Sequence, residues 1–335
     1  MAACGSTTSR MLYPGIGSDV ALRELETDAM NETGDLQTGS GVEVLLRSLS
    51  RTATIETSTR NVADIHEYGR WIEPGTEVFV AWVPGMPYRH LISILRLLRR
   101  EGFVPVPHVV ARRLASDVQA RDLFAGLRAE ADVDRVLLVG GDDAQSAGPF
   151  ATTLSILQSG IPGNGGIRRV FLGGFPEGHP HVGEDVVKAS LDARMAWAAD
   201  TGMELSLVSQ FCFDGDAMYR WISALRLRGV SLPVRIGLAG PATLRALLRY
   251  AALCGIGASA RMLRGRELAL TRLAIEEGPE QVAHRFASLQ ATIPVEGGDG
   301  FHLFSFGGVE APARWRRSMA EGLFQYEVGS LRIAS

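Results

Sequence analysis

Six polar residues stand at or near the ends of short apolar runs, and their types suit acid–base chemistry on an organic substrate. Glu56 lies in Ile55-Glu56-Thr57, and His108 follows Pro107. Asp142 follows Gly140-Gly141, and His179 lies in Phe175-Pro176-Glu177-Gly178-His179-Pro180-His181. Gln210 opens Gln210-Phe211-Cys212-Phe213-Asp214, and His302 sits in Phe301-His302-Leu303-Phe304. A carboxyl buried in apolar surroundings keeps its proton to higher pH and can act as a general acid. A second carboxylate can accept hydrogen bonds or favour a cationic intermediate. A glutamine amide both donates and accepts. Each residue also has a plainer role open to it. Glu56 could pair with an arginine, Asp142 could cap a helix, and Gln210 could satisfy a neighbouring strand. His108 could be a satisfied core histidine, and His179 could order its own turn.

These residues need a scaffold that brings strand ends together. Apolar, β-branched runs predict strands at Thr54–Thr57, Glu77–Val83, Val104–Val109, Arg135–Val139, Arg169–Leu172, Leu205–Gln210, Val234–Leu238 and Phe301–Phe306. Several are apolar nearly throughout, as parallel strands covered on both faces are. Stretches of helical period separate them: Val62–Ile72, Tyr88–Arg100, Ser116–Ala131, Thr152–Ser159, Asp185–Thr201, Ala217–Arg228, Ala242–Cys254 and Glu280–Gln290. Ile65, Tyr68 and Ile72, and Leu91, Ile94, Leu95 and Leu98, keep the 3–4 spacing of one helix face. Asp216 and Pro241 stand where a cap and a first-turn proline are expected. The alternation predicts a single α/β domain, a (β/α)8 TIM barrel with a flexible N-terminal extension, with a doubly wound open sheet as the rival. The expected boundaries are an arm at 1–41, the barrel at 42–325 and a C-terminal tail at 326–335. A short amphipathic helix is expected over Val42–Leu49, and an extra helical insertion over Ala260–Glu277. In a barrel the strand C-termini form the active mouth, so Glu56, His108, Asp142, His179 and Gln210 are expected to converge there.

Composition narrows the function class. The chain has 335 residues, net charge -3 and 46% hydrophobic residues, so a folded domain without a basic nucleic-acid or membrane footprint is expected. Lys188 is the sole lysine among 34 basic residues. Three cysteines, Cys4, Cys212 and Cys254, are too few for a disulfide framework or a cysteine-rich zinc site. No apolar run reaches the roughly 18 residues of a membrane span, and the first ten residues do not read as a secretory signal. A cytoplasmic protein, with a homo-oligomer open, is expected. His179-Pro180-His181 raises a metal-dependent hydrolase, with His108, Asp142 and His302 as further ligands. The first strand end would usually hold that pair, and here it carries Glu56 and Thr57, so no metal is expected. Gly163-Asn164-Gly165-Gly166 reads as a turn, not a phosphate loop. Cys212, between two phenylalanines, reads as a small buried hydrophobe.

Phe175-Pro176-Glu177-Gly178-His179-Pro180 and Ser209-Gln210-Phe211-Cys212-Phe213-Asp214 resemble methylenetetrahydrofolate reductases in their catalytic-barrel form. The order of Glu56, Pro107-His108, Gly141-Asp142 and Phe301-His302-Leu303-Phe304 matches as well, over roughly residues 42–325. The resemblance implies an oxidoreductase that interconverts 5,10-methylenetetrahydrofolate and 5-methyltetrahydrofolate. Hydride would come from NADH or NADPH through FAD. Glu56 would be the general acid, and Asp142 a second catalytic carboxylate near flavin and pterin. Gln210, Asp142, Phe211 and Leu244 would contact the folate. His108, Gly141, Asp142, Phe175, His179 and Arg194 would contact FAD.

Departures from that pattern cluster in the flavin region. Gly140 replaces an arginine, and Val83-Pro84-Gly85 replaces a run with a hydroxyl. Arg194, with Lys188, is what remains of the cationic group on the fifth helix. Leu244 stands in Gly240-Pro241-Ala242-Thr243-Leu244 where an aromatic is usual. Two variants follow: a flavin-free member taking hydride directly from NAD(P)H, or one oxidising methyltetrahydrofolate in a demethylation pathway. A non-catalytic folate-binding subunit is a third, with the acidic segment Glu24–Asp35 as a docking arm.

Overall fold

Eight parallel strands close into a barrel in a computed structural model that describes residues 35–60, 65–255, 276–295, 298–327 and 330–333. The strands are β1 (Thr54–Ser58), β2 (Glu77–Ala81), β3 (Val104–Val110), β4 (Arg135–Val139), β5 (Arg169–Gly174), β6 (Glu204–Ser209), β7 (Val234–Ala239) and β8 (Gly300–Phe304). Neighbours in sequence are neighbours in the sheet, and β8 returns to β1 with Thr54 opposite His302 and Ile55 opposite Leu303. This is the expected (β/α)8 architecture. The strand ends differ by a residue or two. Trp82 and Val83 fall beyond β2, Gln210 just beyond β6, and Ser305 and Phe306 just beyond β8. The barrel interior is filled by Phe79, Val106, Leu137, Phe171 and Val208, one from each of five strands.

The helical ring consists of α1 (Asp35–Arg51), α2 (Tyr88–Arg100), α3 (Asp117–Ala131), α4 (Thr153–Gln158), α5 (Ile161–Asn164), α6 (Glu184–Thr201), α7 (Gly215–Leu227), α8 (Leu244–Leu253), α9 (Glu280–Thr292) and α10 (Glu310–Glu321). Apolar period explains their inward faces. On α2, Leu91, Ile92, Ile94, Leu95 and Leu98 are buried. Ser116 caps α3 by accepting from the Gln119 amide. The N-cap of α7 is Asp214, whose carboxylate accepts from the amides of Asp216 and Ala217. Asp216 itself lies inside the first turn, paired with Arg285 at 2.6 Å. At α8 the cap is Thr243, so Pro241 precedes the helix instead of opening it. None of the helices of the described residues is long and apolar enough to cross a membrane.

Several expected boundaries change. Residues 1–34 of the expected arm lie outside the described residues. Residues 35–41 belong to α1, whose Val42, Leu46 and Leu49 are buried against the ring beside α9 and α10. The expected helix Val62–Ile72 is a 3-10 turn at Ile65–Arg70, with residues 61–64 outside the description. Ile65, Tyr68 and Ile72 are buried all the same, because 3-10 and α spacing both bring positions three apart to one side. The expected insertion falls largely on residues 256–275, outside the description. Its last two residues, Glu276–Glu277, pair with Ala242–Thr243 as a short antiparallel bridge. The expected tail forms a hairpin, Phe324–Glu327 with Ser330–Ile333, that buries Leu331.

An ionic cluster closes the N-terminal end of the barrel. Glu77 opens β2, Arg135 opens β4, and Arg235 is the second residue of β7. Glu77 lies 2.6 Å from Arg135 and 3.6 Å from Arg235, and its side chain is only 11% exposed. Burial pushes the Arg235 pKa down, with Glu77 and Asp299 acting against it. Removing the shared carboxylate leaves Arg135 with Asp134 at 2.8 Å and takes from the largely buried Arg235 its ion-pair partner. Glu77→Gln is therefore expected to destabilise the fold by about 1–3 kcal/mol in chemical denaturation, since the group is largely but not fully buried. Glu310→Gln, which breaks an exposed pair with Arg314, should stay within about 0.5 kcal/mol.

Candidate functional site

The opposite, C-terminal end of the barrel holds a carboxyl between two imidazoles. Glu56 projects from β1, and its Oε2 lies 3.4 Å from Nε2 of His108 on β3 and 3.5 Å from Nε2 of His302 on β8. His302 has no exposed surface, and its Nδ1 is 2.7 Å from Oγ1 of Thr54. The edge-on ring of Phe79 packs against both imidazoles, with centroids 4.6 Å from His302 and 6.2 Å from His108. Glu56 Oε1 has no protein partner among the described residues.

Burial sets the charges here. It raises the Glu56 pKa, and the His108 ring acts only as a smaller opposing influence. It lowers the His108 pKa, with Glu56 opposing and His302 adding to the effect. It drives His302 down to about 3, assisted by Arg235 and opposed by Glu77. Two neutral rings thus flank a carboxyl that favours its protonated form. The alternative role for Glu56, pairing with an arginine, finds no such partner among the described residues.

The loops above these strands bring up the other expected residues. Gly141 has φ +101°, and a Cβ there would meet Val110 Cγ1 at 2.5 Å. Glycine is therefore required for the turn that exposes Asp142. The Asp142 charge reaches His179, opposing the lowering of its pKa by burial and by His181. The turn is pinned by two cations that sequence reasoning did not single out. Arg113 pairs with Asp143 at 3.1 Å, and Arg112 donates to the carbonyls of Asp143 and Ala151. The Arg112-Arg113 doublet just past β3 was the available signal. Beyond β5, Phe175 and His179 meet edge to face at 4.5 Å, and the His179 Nδ1 accepts from the His181 amide.

Gln210 lies at the wall of an open cleft of about 260 Å³, lined also by Phe175, Pro176, Phe211, Cys254 and Gly255. Its backbone N–H donates to the Gly174 carbonyl, and its side-chain oxygen accepts from the Phe211 amide. The side-chain NH2 has no protein partner among the described residues. Phe211 is 1% exposed and backs the cleft, whereas Leu244 is fully buried in the apolar cluster behind it, so its side chain presents no surface to a ligand. The same cluster is joined by Phe304, Phe306 and Tyr250, the last two stacked at 4.5 Å. Cys254, weighed in the sequence only for disulfide and zinc chemistry, also lines the cleft. Burial, together with Glu56 and Asp142, pushes its thiol up to about 11.

Arg194 stands apart on α6. Its guanidinium donates to Thr153 Oγ1 and Ser190 Oγ, both at 2.7 Å, and it has no carboxylate partner among the described residues. Lys188 on the same helix pairs with Glu184 at 2.6 Å. No group of three or more His, Cys, Asp or Glu among the described residues is arranged to hold a metal ion. Cys212 is buried, its thiol pushed up to about 12 chiefly by desolvation.

No protein-family model matches the chain. Solved structures match it at low identity. An uncharacterized protein from Clostridium thermocellum that binds two copies of 5-methyl-5,6,7,8-tetrahydrofolic acid aligns at TM-score 0.51 and 10% identity, over 83% of this chain and 96% of that one. A dihydropteroate synthase from Thermus thermophilus aligns at 0.44 and 14% identity, over 81% and 93%. A 7,8-dihydropteroate synthase from Vibrio fischeri aligns at 0.43 and 13%, over 82% and 94%. At these identities the likeness is one of fold.

The buried imidazole makes the structure sensitive to acid. An unfolded histidine takes up a proton near pH 6.5, while the folded His302 ring stays neutral down to about 3. The stability it contributes is therefore complete above pH 6.5 and is lost as pH falls, by up to about 1.4 kcal/mol per unit. The depressed carboxyls of Glu73, Asp134 and Asp216 titrate lower, and Glu56, which burial raises, acts in the opposite direction, so the histidines are what lowers stability over about pH 5–6.5. His302→Gln is expected to flatten the slope of unfolding free energy in that interval, measured by urea denaturation at stepped pH.

Proposed function

We propose that this chain binds a reduced folate at the C-terminal mouth of the barrel and interconverts 5,10-methylenetetrahydrofolate and 5-methyltetrahydrofolate, with Glu56 as the general acid. The observation that carries the reading is the Glu56 carboxyl, placed at the mouth between neutral rings and favouring its protonated form. The Clostridium thermocellum barrel that binds 5-methyltetrahydrofolic acid supports the ligand class. The motifs around Glu56, Asp142, His179 and Gln210 support the reaction.

The chemistry asks for a proton before a hydride. Glu56 donates to N10 of the folate, the bond between N10 and the methylene carbon breaks, and an iminium forms at N5. Hydride then adds to the methylene carbon and leaves the 5-methyl product. In reverse, the Glu56 carboxylate takes the proton from N10. A neutral acid at the mouth is needed for the first step, and desolvation provides it. The open NH2 group of Gln210 offers a donor to the pterin edge. Asp142 offers acceptor oxygens and a negative charge that favours the cationic intermediate.

FAD fits the residues at two places. The Phe175–His179 ring pair, with His108 and the Gly141-Asp142 turn, would border the flavin, and Arg194, a desolvated guanidinium bonded only to hydroxyls, would meet a phosphate. When bound it would supply the hydride. A second reading takes hydride directly from NADH or NADPH. It is favoured by the pairing of Lys188 with Glu184, which leaves Arg194 as the cation on α6 without a carboxylate partner among the described residues.

Purified protein should bind 5-methyltetrahydrofolate in a calorimetric titration and oxidise NADH or NADPH in the presence of methylenetetrahydrofolate. Glu56→Gln is expected to lower turnover about 10²–10⁴-fold while leaving the folate Kd within about threefold. Gln210→Ala should weaken folate binding by about tenfold, the loss of one hydrogen bond. A flavin spectrum retained after FAD addition and desalting selects the flavin route, and turnover by colourless protein selects the direct one. Failure to bind any reduced folate overturns the reading, and tight binding with no turnover leaves the non-catalytic folate-binding subunit.

A further inference from the structure

Glu56 is held unequally by its two imidazoles. The contact from His302 Nε2 to Glu56 Oε2 is aligned for a hydrogen bond at 3.5 Å. The His108 Nε2, though 3.4 Å away, is buried without a hydrogen-bond partner. His302 is the anchored ring, since Nδ1 meets Thr54 Oγ1 at 2.7 Å, and Thr54 is itself 2% exposed. Thr54 and His302 are also register partners across the β1–β8 pair that closes the barrel. A hydroxyl, an imidazole and a carboxyl thus form one chain across the closing seam.

We propose that Thr54 fixes the tautomer of His302 and, through that ring, holds Glu56 as a neutral acid: Nδ1–H donates to Thr54 Oγ1, and the Nε2 lone pair accepts the carboxyl proton. Thr54 and His302 are positioning residues, and the proposal rests on the reading of Glu56 as the proton donor of the mouth. A neutral imidazole carries one N–H and one lone pair, so the direction of the bond at Nδ1, where the Thr54 hydroxyl can donate or accept, decides what Nε2 presents. A lone pair at Nε2 favours the carboxylic acid, and an N–H there would favour the carboxylate. The surroundings select the first. Among the described residues, the titratable groups facing Glu56 are His108 from β3, His302 from β8 and Cys254 after α8, and none of these brings a cation. The charges facing His302 are Arg235 from β7 and Glu77 from β2, and Arg235 disfavours an imidazolium. The rings of Phe79 and Phe304, each in a T-shaped contact with His302, complete the enclosure at 4.6 and 4.8 Å.

Two NMR measurements on the full chain test this without substrate. In protein labelled with 15N-histidine, His302 should show a protonated Nδ1 and an unprotonated Nε2. The opposite pattern overturns the proposal in the unmodified protein. In protein labelled with 13C in the glutamate carboxyl, Glu56 is identified by the signal missing from Glu56→Gln. Thr54→Val removes the acceptor for Nδ1–H while keeping the side-chain shape, so the tautomer reverses and Nε2–H faces Glu56. The Glu56 midpoint should then fall by about one pH unit, a tenfold stronger acid, and Thr54→Ser should restore it. A midpoint that stays in place or rises in folded Thr54→Val overturns the proposal, because a merely structural hydroxyl would alter stability and leave the titration alone. The folate reading fails separately, through absent folate binding, whatever these spectra show.

Discussion

Closure of the barrel between its first and last strands is the constraint from which the site follows. The register that sets Thr54 opposite His302 puts a hydroxyl and an imidazole on the inner face of the seam. Glu56, two residues on along β1, then meets the far nitrogen of that same ring. Nothing in the outer helices could produce this arrangement, since side chains two apart on a strand share a face. A shift of one residue would turn Glu56 outward and leave His302 facing a different partner. The chemistry of the mouth is thus tied to the pairing that makes the barrel a closed object.

The two ends of the barrel treat charge in opposite ways. At the N-terminal end, Glu77 is shared by Arg135 and Arg235, and the charges neutralise one another within a few ångströms. At the C-terminal end, Glu56 has uncharged rings for neighbours. An ion pair holds carboxylates ionised, whereas burial without a cation holds them neutral. The same residue type is therefore held as an ion-paired anion at one end and pushed toward its neutral form at the other. His302 links the two, because Arg235 and Glu77 are the charges that bear on its ring from below.

The strands and the order of the barrel were legible because each strand is a short apolar run and each helix a run of 3–4 period. Glu56, His108 and Gln210 were legible as polar residues ending such runs. The pairing of His302 with both Thr54 and Glu56 was not, because it depends on the closing register between residues nearly 250 positions apart. Arg112 and Arg113 were missed for a related reason. They follow β3 in sequence but act on the turn after β4, a neighbour known once the strand order is known. The burial of Leu244 reflects a helix start, Thr243, whose cap turns the next side chain into the apolar cluster. Asp214 was taken for a motif residue when it also caps α7, because capping depends on backbone conformation that spacing does not reveal.

The arginines around the mouth bear on what kind of ligand it can hold. Arg112 and Arg113 are engaged by Asp143 and by backbone carbonyls, and holding the turn of Asp142 leaves them little capacity for an outside anion. Arg194 is different, since hydroxyls satisfy its N–H groups without neutralising its charge. A guanidinium so placed keeps an electrostatic preference for an anion that its protein partners do not meet. The mouth itself presents the Gln210 amide, the rings of His108 and His179, the Glu56 carboxyl that burial pushes toward its neutral form, and the exposed Asp142. The guanidinium on α6 is thus set apart from a carboxyl that, among the described residues, has only uncharged rings against it.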